Sequence, residues 1–229
     1  IKPSRARRGS RGRKVNKRAN ATGLQQIAWQ VPRNTDTPIA PLPPEGVAAI
    51  HHTAMRILEE VGVVFRDPVA LDDWRKVGAN VVGDLVKFDR AHIRSLISSI
   101  PQTISIHARN PDKTIGLGGR KSMFVPMTGA PYLRDLDDER RLPTLDDLGM
   151  FHKLAHMSPA LHSSAHHIVE PMDHPVPHRH LQITYSSMKY SDKTFMGMTT
   201  SGKNGEDVMD MCDILFGASF LEDHAVVVG

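Results

Sequence analysis

Residues 161 to 180, LHSSAHHIVEPMDHPVPHRH, bring His162, His166, His167, Glu170, Asp173, His174, His178 and His180 into one short stretch. Imidazole and carboxylate are ordinary zinc ligands, and the pair His178-x-His180 suits a metal-dependent hydrolase built on a barrel. Position weighs against that chemistry. The strand in this segment ends near Glu170, whereas His178 and His180 follow a Pro-rich loop at the start of a helix. On a strand, His162 and His166 face one side and His167 the other, so they do not converge on one ion. The competing reading is a set of loop and strand-mouth histidines making hydrogen bonds. Glu170 is the residue best suited to hold a cation, with an exposed loop carboxylate as its alternative.

A second charged stretch, GAPYLRDLDDERRLPTLDDL (129 to 148), poses the same question with Asp135, Asp137, Asp138, Glu139, Asp146 and Asp147. It lacks the glycine and the distal glutamate of a calcium loop. Asp137 to Arg140 suit a polar hairpin tip, with Tyr132 and Leu133 entering and Leu142 leaving. Thr144 with Asp147 three residues on reads as a capping box opening a helix. The glycines of GLGGR have neither the spacing of a dinucleotide fingerprint nor the lysine of a phosphate loop, and fit a hairpin turn. Cys212 sits on the apolar face of DVMDMCDILFG and reads as a buried structural thiol.

The elements that must position these groups fall into three parts. Residues 1 to 44 form a basic and Pro-rich extended tail, with four prolines between Thr35 and Pro44. Residues 45 to 143 form a helical and β-hairpin cap. Its first helix turns Val47, Ile50, Ala54, Ile57, Leu58 and Val61 inward and closes at Gly62. A second helix, capped by Asp67, turns Leu71, Trp74 and Val77 inward, ANVVGDLVKF makes a hairpin, and Asp89 opens a third helix. TISIHA, TIGLGG and SMFVPM read as strands.

From residue 144 to 229 helices and strands alternate. TLDDLGMFHKLAHM, PHRHLQITYSSMKYS and GEDVMDMCDILFG are helices; ALHSSAHHIVEP, KTFMGMTTS and HAVVVG are strands that begin near His162, Lys193 and His224. That regular step is the length of a βα unit and implies parallel strands, hence an α/β fold that is the N-terminal part of a TIM-type (β/α)8 barrel. A barrel takes eight such units in about 250 residues, so three strands belong to something longer and should not close or catalyse alone. Barrel sites lie at the C-terminal strand ends, which here makes Glu170, His167 and Thr199 the candidate substrate-binding residues. No catalytic residue and no metal ligand is assigned.

Composition narrows the classes. The chain has 229 residues, 40% of them hydrophobic, a formal charge of +4 and one cysteine. The mean hydropathy is -0.31. No apolar run approaches the roughly 20 residues of a membrane helix. A single cysteine excludes an internal disulfide and suits a reducing cytoplasm. Of 29 basic residues, nine lie within residues 1 to 18 without an acid, which leaves 20 against 25 acidic residues elsewhere. The tail therefore reads as disordered or tethered to a partner. No aromatic residue interleaves its arginines, so nucleic acid is not the expected partner, although an assembly factor binding through this tail stays open. It lacks the apolar segment of an export signal, and without an initial Met the first residues are expected to be missing.

The charged stretch, the preceding HARNPDKTIGLGGRKSMFVP and the opening IHHTAMRILEEVGV together resemble the N-terminal half of the trimethylamine methyltransferase family. The resemblance covers roughly residues 45 to 229 and follows that family's order of elements. It implies a cytoplasmic, homo-oligomeric barrel enzyme, of the kind used in methanogenesis. Such an enzyme moves a methyl group from a methylated or quaternary amine, trimethylamine or glycine betaine, to the Co(I) of a corrinoid (cobalamin) on a partner corrinoid protein, and binds no cofactor itself. The cobalt is then the nucleophile, and the enzyme orients the cation and excludes water. Aromatic faces and carboxylates would hold the quaternary ammonium. With 5% aromatics here, much of that cage is expected after Gly229, as is the position of the pyrrolysine that some members carry.

Overall fold

Punctuation by proline, aspartate and glycine sets the first elements of the computed structural model, which describes residues 26–229; the basic stretch 1 to 18 lies outside them. Helix α1 (Pro44–Arg56) has proline at its first position, where the missing N–H costs nothing, and runs through one π turn, Ile57–Val61, to Gly62 at φ 85°. Its rotation differs from the expected one. Val47, Ile50, Ile57 and Val61 are 51–63% exposed, and Met55 is the buried residue. The reason is the docking contacts: Phe88 N–H donates to Leu58 O at 3.1 Å, and Glu59 pairs with Arg90 at 2.7 Å. These, rather than the apolar stripe, fix the face presented to the cap.

Strand β1 (Val63–Val64) leads to α2 (Pro68–Lys76), whose first turn is capped by the Asp67 carboxylate accepting from Val69 N–H at 2.9 Å. Leu71 and Trp74 are half-buried, and the Trp74 ring packs edge-on to Phe88 at 4.8 Å. Val77, expected inward, is 48% exposed because the helix has ended and the chain swings away at Gly78, φ 81°. Strands β2 (Asn80–Val82) and β3 (Leu85–Lys87) form the expected hairpin, with β1 antiparallel on the other edge of β3. Helix α3 (Arg90–Ser98) is capped by Asp89. Strands β4 (Thr103–Ile106) and β5 (Ile115–Gly118) pair antiparallel around buried Ile106 and Ile115.

SMFVPM forms no ladder. Its backbone is committed elsewhere: Phe124 N–H donates to His162 Nδ1 and Phe124 O accepts from His162 N–H, while Ser122 N–H bonds to Pro32 O. Residues 29 to 34 are thereby bound to the fold. Trp29 Nε1–H reaches Leu161 O at 3.2 Å, and His162 Nε2 reaches Gln30 O at 2.9 Å.

The charged hairpin is β6 (Leu133–Arg134) and β7 (Arg140–Arg141). Its tip is self-satisfied, since Asp135 accepts from the N–H of Asp137 and Glu139, and Arg134 pairs with Asp138 at 2.8 Å. Arg141 then grips Asp147 at 2.7 Å, and Asp147 completes the Thr144 capping box of α4 (Leu145–Met157). Arg141 and the Thr144 bonds hold that carboxyl well below the usual carboxylate range. The stretch is a turn fastened to a helix start.

Beyond α4 come α5 (Val176–Tyr190), β8 (Phe195–Met196), α6 (Gly202–Phe216), α7 (Ala218–Leu221) and β9 (Val227–Val228). Pairing is parallel and sequential: Ser163 with Thr194, then Phe195 with Val227 and Met196 with Val228, while Ala130 joins Val169 on the other side. Among the described residues these strands do not close on themselves. One apolar cluster joins Met188, Phe195, Val208, Cys212 and Val226; another joins Leu148, Val169 and Ile183. Each such side chain contributes about 1.5–3 kcal/mol on burial. No helix among the described residues is long and apolar enough to cross a membrane.

Lys193, 3% exposed, ties the start of β8 to the end of α4. Its Nζ donates to the carbonyls of Ala155 (2.7 Å), Ser158 (2.6 Å) and Leu161 (2.8 Å). Burial pushes the ammonium down to about 8, but three acceptors at the negative end of a helix favour the charged form, so it is protonated at neutral pH. Lys193→Met removes all three bonds from a dry site and should destabilise the fold by about 3 kcal/mol, read as a lower urea midpoint with unchanged slope.

Candidate functional site

The strand expected over 160 to 171 does not form: the extended segment keeps only single parallel bridges at Ser163 and Val169, because the chain turns between them at Ala165, a fully buried residue at φ 58°. Non-glycine residues rarely occupy this left-handed region. The surrounding hydrogen bonds account for its presence. Ala165 O accepts from Met196 N–H at 3.3 Å and from Ser187 Oγ–H at 3.2 Å. The next carbonyl, His166 O, lies 2.7 Å from Nε2 of His152 on α4, whose Nδ1 lies 2.9 Å from Ser186 Oγ on α5. A carbonyl can only accept, so Nε2 carries the proton and Nδ1 takes the Ser186 hydroxyl proton. His152 is thus neutral, in accord with the burial that lowers its pKa. This serine–histidine grouping is sealed inside the fold, and no substrate reaches it.

The kink overturns the expected alternation. His166 and His167 do not point to opposite faces; their rings stack at 4.0 Å between centroids, 17° from coplanar, and their Nδ1 atoms are hydrogen-bond partners. Burial, then the neighbouring His167, pushes His166 down to about 4, and burial lowers His167 as well, with Glu170 opposing both shifts. Both rings are neutral at pH 7. His167 Nε2 lies 3.7 Å from Glu170 Oε2, while Glu170 Oε1 accepts from Arg179 Nη1 at 2.6 Å. Arg179 also donates twice to His174 O, fastening the loop that follows the strand. Gly129 N–H to His167 O (2.8 Å) and Glu170 N–H to Ala130 O (3.0 Å) hold the strand end from its other side.

The structure therefore brings His167 and Glu170 together and leaves Thr199 apart. Thr199 is exposed after β8, beside Gly229 at the end of β9. The remaining histidines disperse. His162 bridges Gln30 and Phe124, His178 is exposed, and buried His180 meets Asp207 on α6 at 2.7 Å. Among the described residues no three His, Cys, Asp or Glu side chains group as a metal ion requires. Cys212 is buried and its thiol is pushed up to about 11 by that burial. Arg179 and His152 were not singled out from sequence. Arg179 stands in plain view between the two histidines of HRH; His152 gave no signal, because its partners are backbone carbonyls and serines. A cleft of about 460 Å³ between Tyr185, Met188, Met211, Ile214 and Leu215 lies at the far ends of α5 and α6. At the strand end, one carboxylate oxygen and two neutral imidazoles can receive a small organic cation, with no hydroxyl or thiol poised beside a base.

Comparison with known proteins gives a family match over residues 7–229, to the family described as trimethylamine methyltransferase (MTTB). The chain is 42% identical over 171 residues to glycine betaine methyltransferase of Desulfitobacterium hafniense, covering 75% of this chain and 36% of the relative. It is 30% identical over 161 residues to proline betaine:corrinoid methyltransferase of Eubacterium limosum, covering 69% and 33%. A trimethylamine methyltransferase MttB of D. hafniense is 31% identical over 83 residues, covering 35% and 17%. The chain spans about a third of the length of the first two relatives.

The neutral histidines make stability depend on pH with a definite sign. His152, His166 and His167 have pKa values below the ordinary 6.5 in the folded state, so the unfolded chain binds more protons between 6.5 and the folded values. Stability should be full above pH 6.5 and decline as pH falls toward about 4, the value for His166. Urea titrations at intervals across that range check this, and His166→Phe should flatten part of the slope.

Proposed function

The chain belongs to the trimethylamine methyltransferase family, and from that membership we propose that it forms the front of a (β/α)8 barrel that positions a methylated amine for demethylation. The parallel pairing of β8 with β9 and the parallel bridge of Ser163 with Thr194 support the barrel reading. The observation that carries the functional reading is the meeting of Glu170 with His167 at a strand end, in a chain 42% identical to a glycine betaine methyltransferase.

In this reading the quaternary ammonium sits against Glu170 Oε2, the oxygen not engaged by Arg179, with the stacked faces of His166 and His167 beside it. Neutral imidazoles matter, since a protonated ring would repel the substrate. Thr199, exposed after β8 beside Gly229, stands apart from this pair and is given no part in holding the cation. A Co(I) corrinoid carried by a partner protein supplies the nucleophile when that protein docks. The chain's own work is to hold the cation in line and keep water out. The metal-hydrolase alternative gains no support from histidines that separate onto Gln30, Asp207 and each other.

Glu170→Gln keeps the shape and removes the charge. It should weaken glycine betaine binding, measured by calorimetry, by on the order of tenfold, about 1.4 kcal/mol, and slow methyl transfer to a reduced corrinoid protein followed by its visible spectrum. Unchanged binding would remove Glu170 from the site.

A further inference from the structure

We propose that His152 is a positioning residue for the strand-end site: with Ser187 it fixes the left-handed turn at Ala165 that aims the imidazoles of His166 and His167 to one side, beside Glu170. This rests on the reading of that strand end as the place where the methylated amine is held. The geometry carries it. Two consecutive residues of an ordinary strand point to opposite faces, and here they stack at 4.0 Å. The residue that breaks the alternation is fully buried and has a side chain, so its conformation is held by its surroundings.

Those surroundings form a closed chain of donors and acceptors. Ser186 Oγ–H donates to His152 Nδ1, His152 Nε2–H donates to His166 O, and Ser187 Oγ–H donates to Ala165 O. Ser187 Oγ lies 3.2 Å from His152 Nε2, which joins the two arms. Side chains of α4 and α5 thus hold both carbonyls, His152 the one at His166 and Ser187 the one at Ala165, and the His152 ring makes no contact with the proposed substrate position. No other side chain at 152 offers a ring N–H at this reach together with an acceptor for Ser186.

The test uses the chain labelled with ¹⁵N-histidine and follows the ring signals of His166 and His167 by NMR from pH 3.5 to 8. His152→Phe keeps the ring volume and loses both bonds; His152→Gln restores a donor to His166 O. The expected result is that His152→Phe moves the His166 midpoint upward by about one pH unit and abolishes ring-to-ring contacts between His166 and His167, while His152→Gln recovers most of both. Were His152→Phe too unstable to fold, Ser187→Ala, which removes one arm only, should give a smaller shift in the same direction. A folded His152→Phe or Ser187→Ala protein with unmoved midpoints and intact ring contacts overturns the proposal, even if its melting temperature drops. The readout needs no substrate. A moved midpoint in a protein that binds no methylated amine would uphold the positioning role and fail the functional reading, so the two are separable.

Discussion

One backbone conformation governs the segment that carries His166, His167 and Glu170: the left-handed turn at Ala165, without a glycine to ease it. Such a residue costs on the order of 1–3 kcal/mol. The cost is offset by three hydrogen bonds converging on two adjacent carbonyls from β8, α4 and α5, through Met196, Ser187 and His152. Because each donor belongs to a different element, the turn can form only after the helices have docked. The direction of His166 and His167, their stacking and their neutrality all follow from it.

The docking itself relies on electrostatics at helix ends. Arg141 and Thr144 secure the start of α4 through Asp147, and Lys193 secures its end through three carbonyls. Between these points α4 carries Leu148 and His152 inward, one into the apolar cluster with Val169 and Ile183, the other under the kink. The charged hairpin that looks like a binding site in the sequence is thus a fastening, and it matters to the site through the helix that it starts.

Signals read within a few residues proved dependable. The caps at Asp67, Asp89 and Thr144, the stops at Gly62 and Gly78, and the helices expected after residue 144 are local chemistry, and the structure has them, although the first strand expected among those helices is reduced to single bridges. What was not legible depends on partners distant in sequence. Ile50 and Ile57 form a proper apolar stripe, yet α1 meets the cap through Leu58 and Glu59, and the stripe faces outward. SMFVPM has strand composition, yet its backbone bonds are drawn off by His162 and Pro32. Glu170 and His167 stand out in the sequence by position alone, and the structure puts their side chains 3.7 Å apart; the stacking of His166 on His167 is not legible there, because alternation is the rule and Ala165 carries no sign of breaking it. Thr199 was chosen by the same positional rule and stands beside Gly229, apart from the pair.

The proposed function seats a methylated ammonium at His166, His167 and Glu170 and leaves the nucleophile to a partner's corrinoid. The most direct measurement is intermolecular NOE spectroscopy between ¹³C-methyl glycine betaine and the labelled histidine rings of the protein. The account predicts cross-peaks from the betaine methyl protons to the ring protons of His166 and His167, lost on adding excess unlabelled betaine. Cross-peaks confined to other histidines, such as His178 or His224, would contradict it.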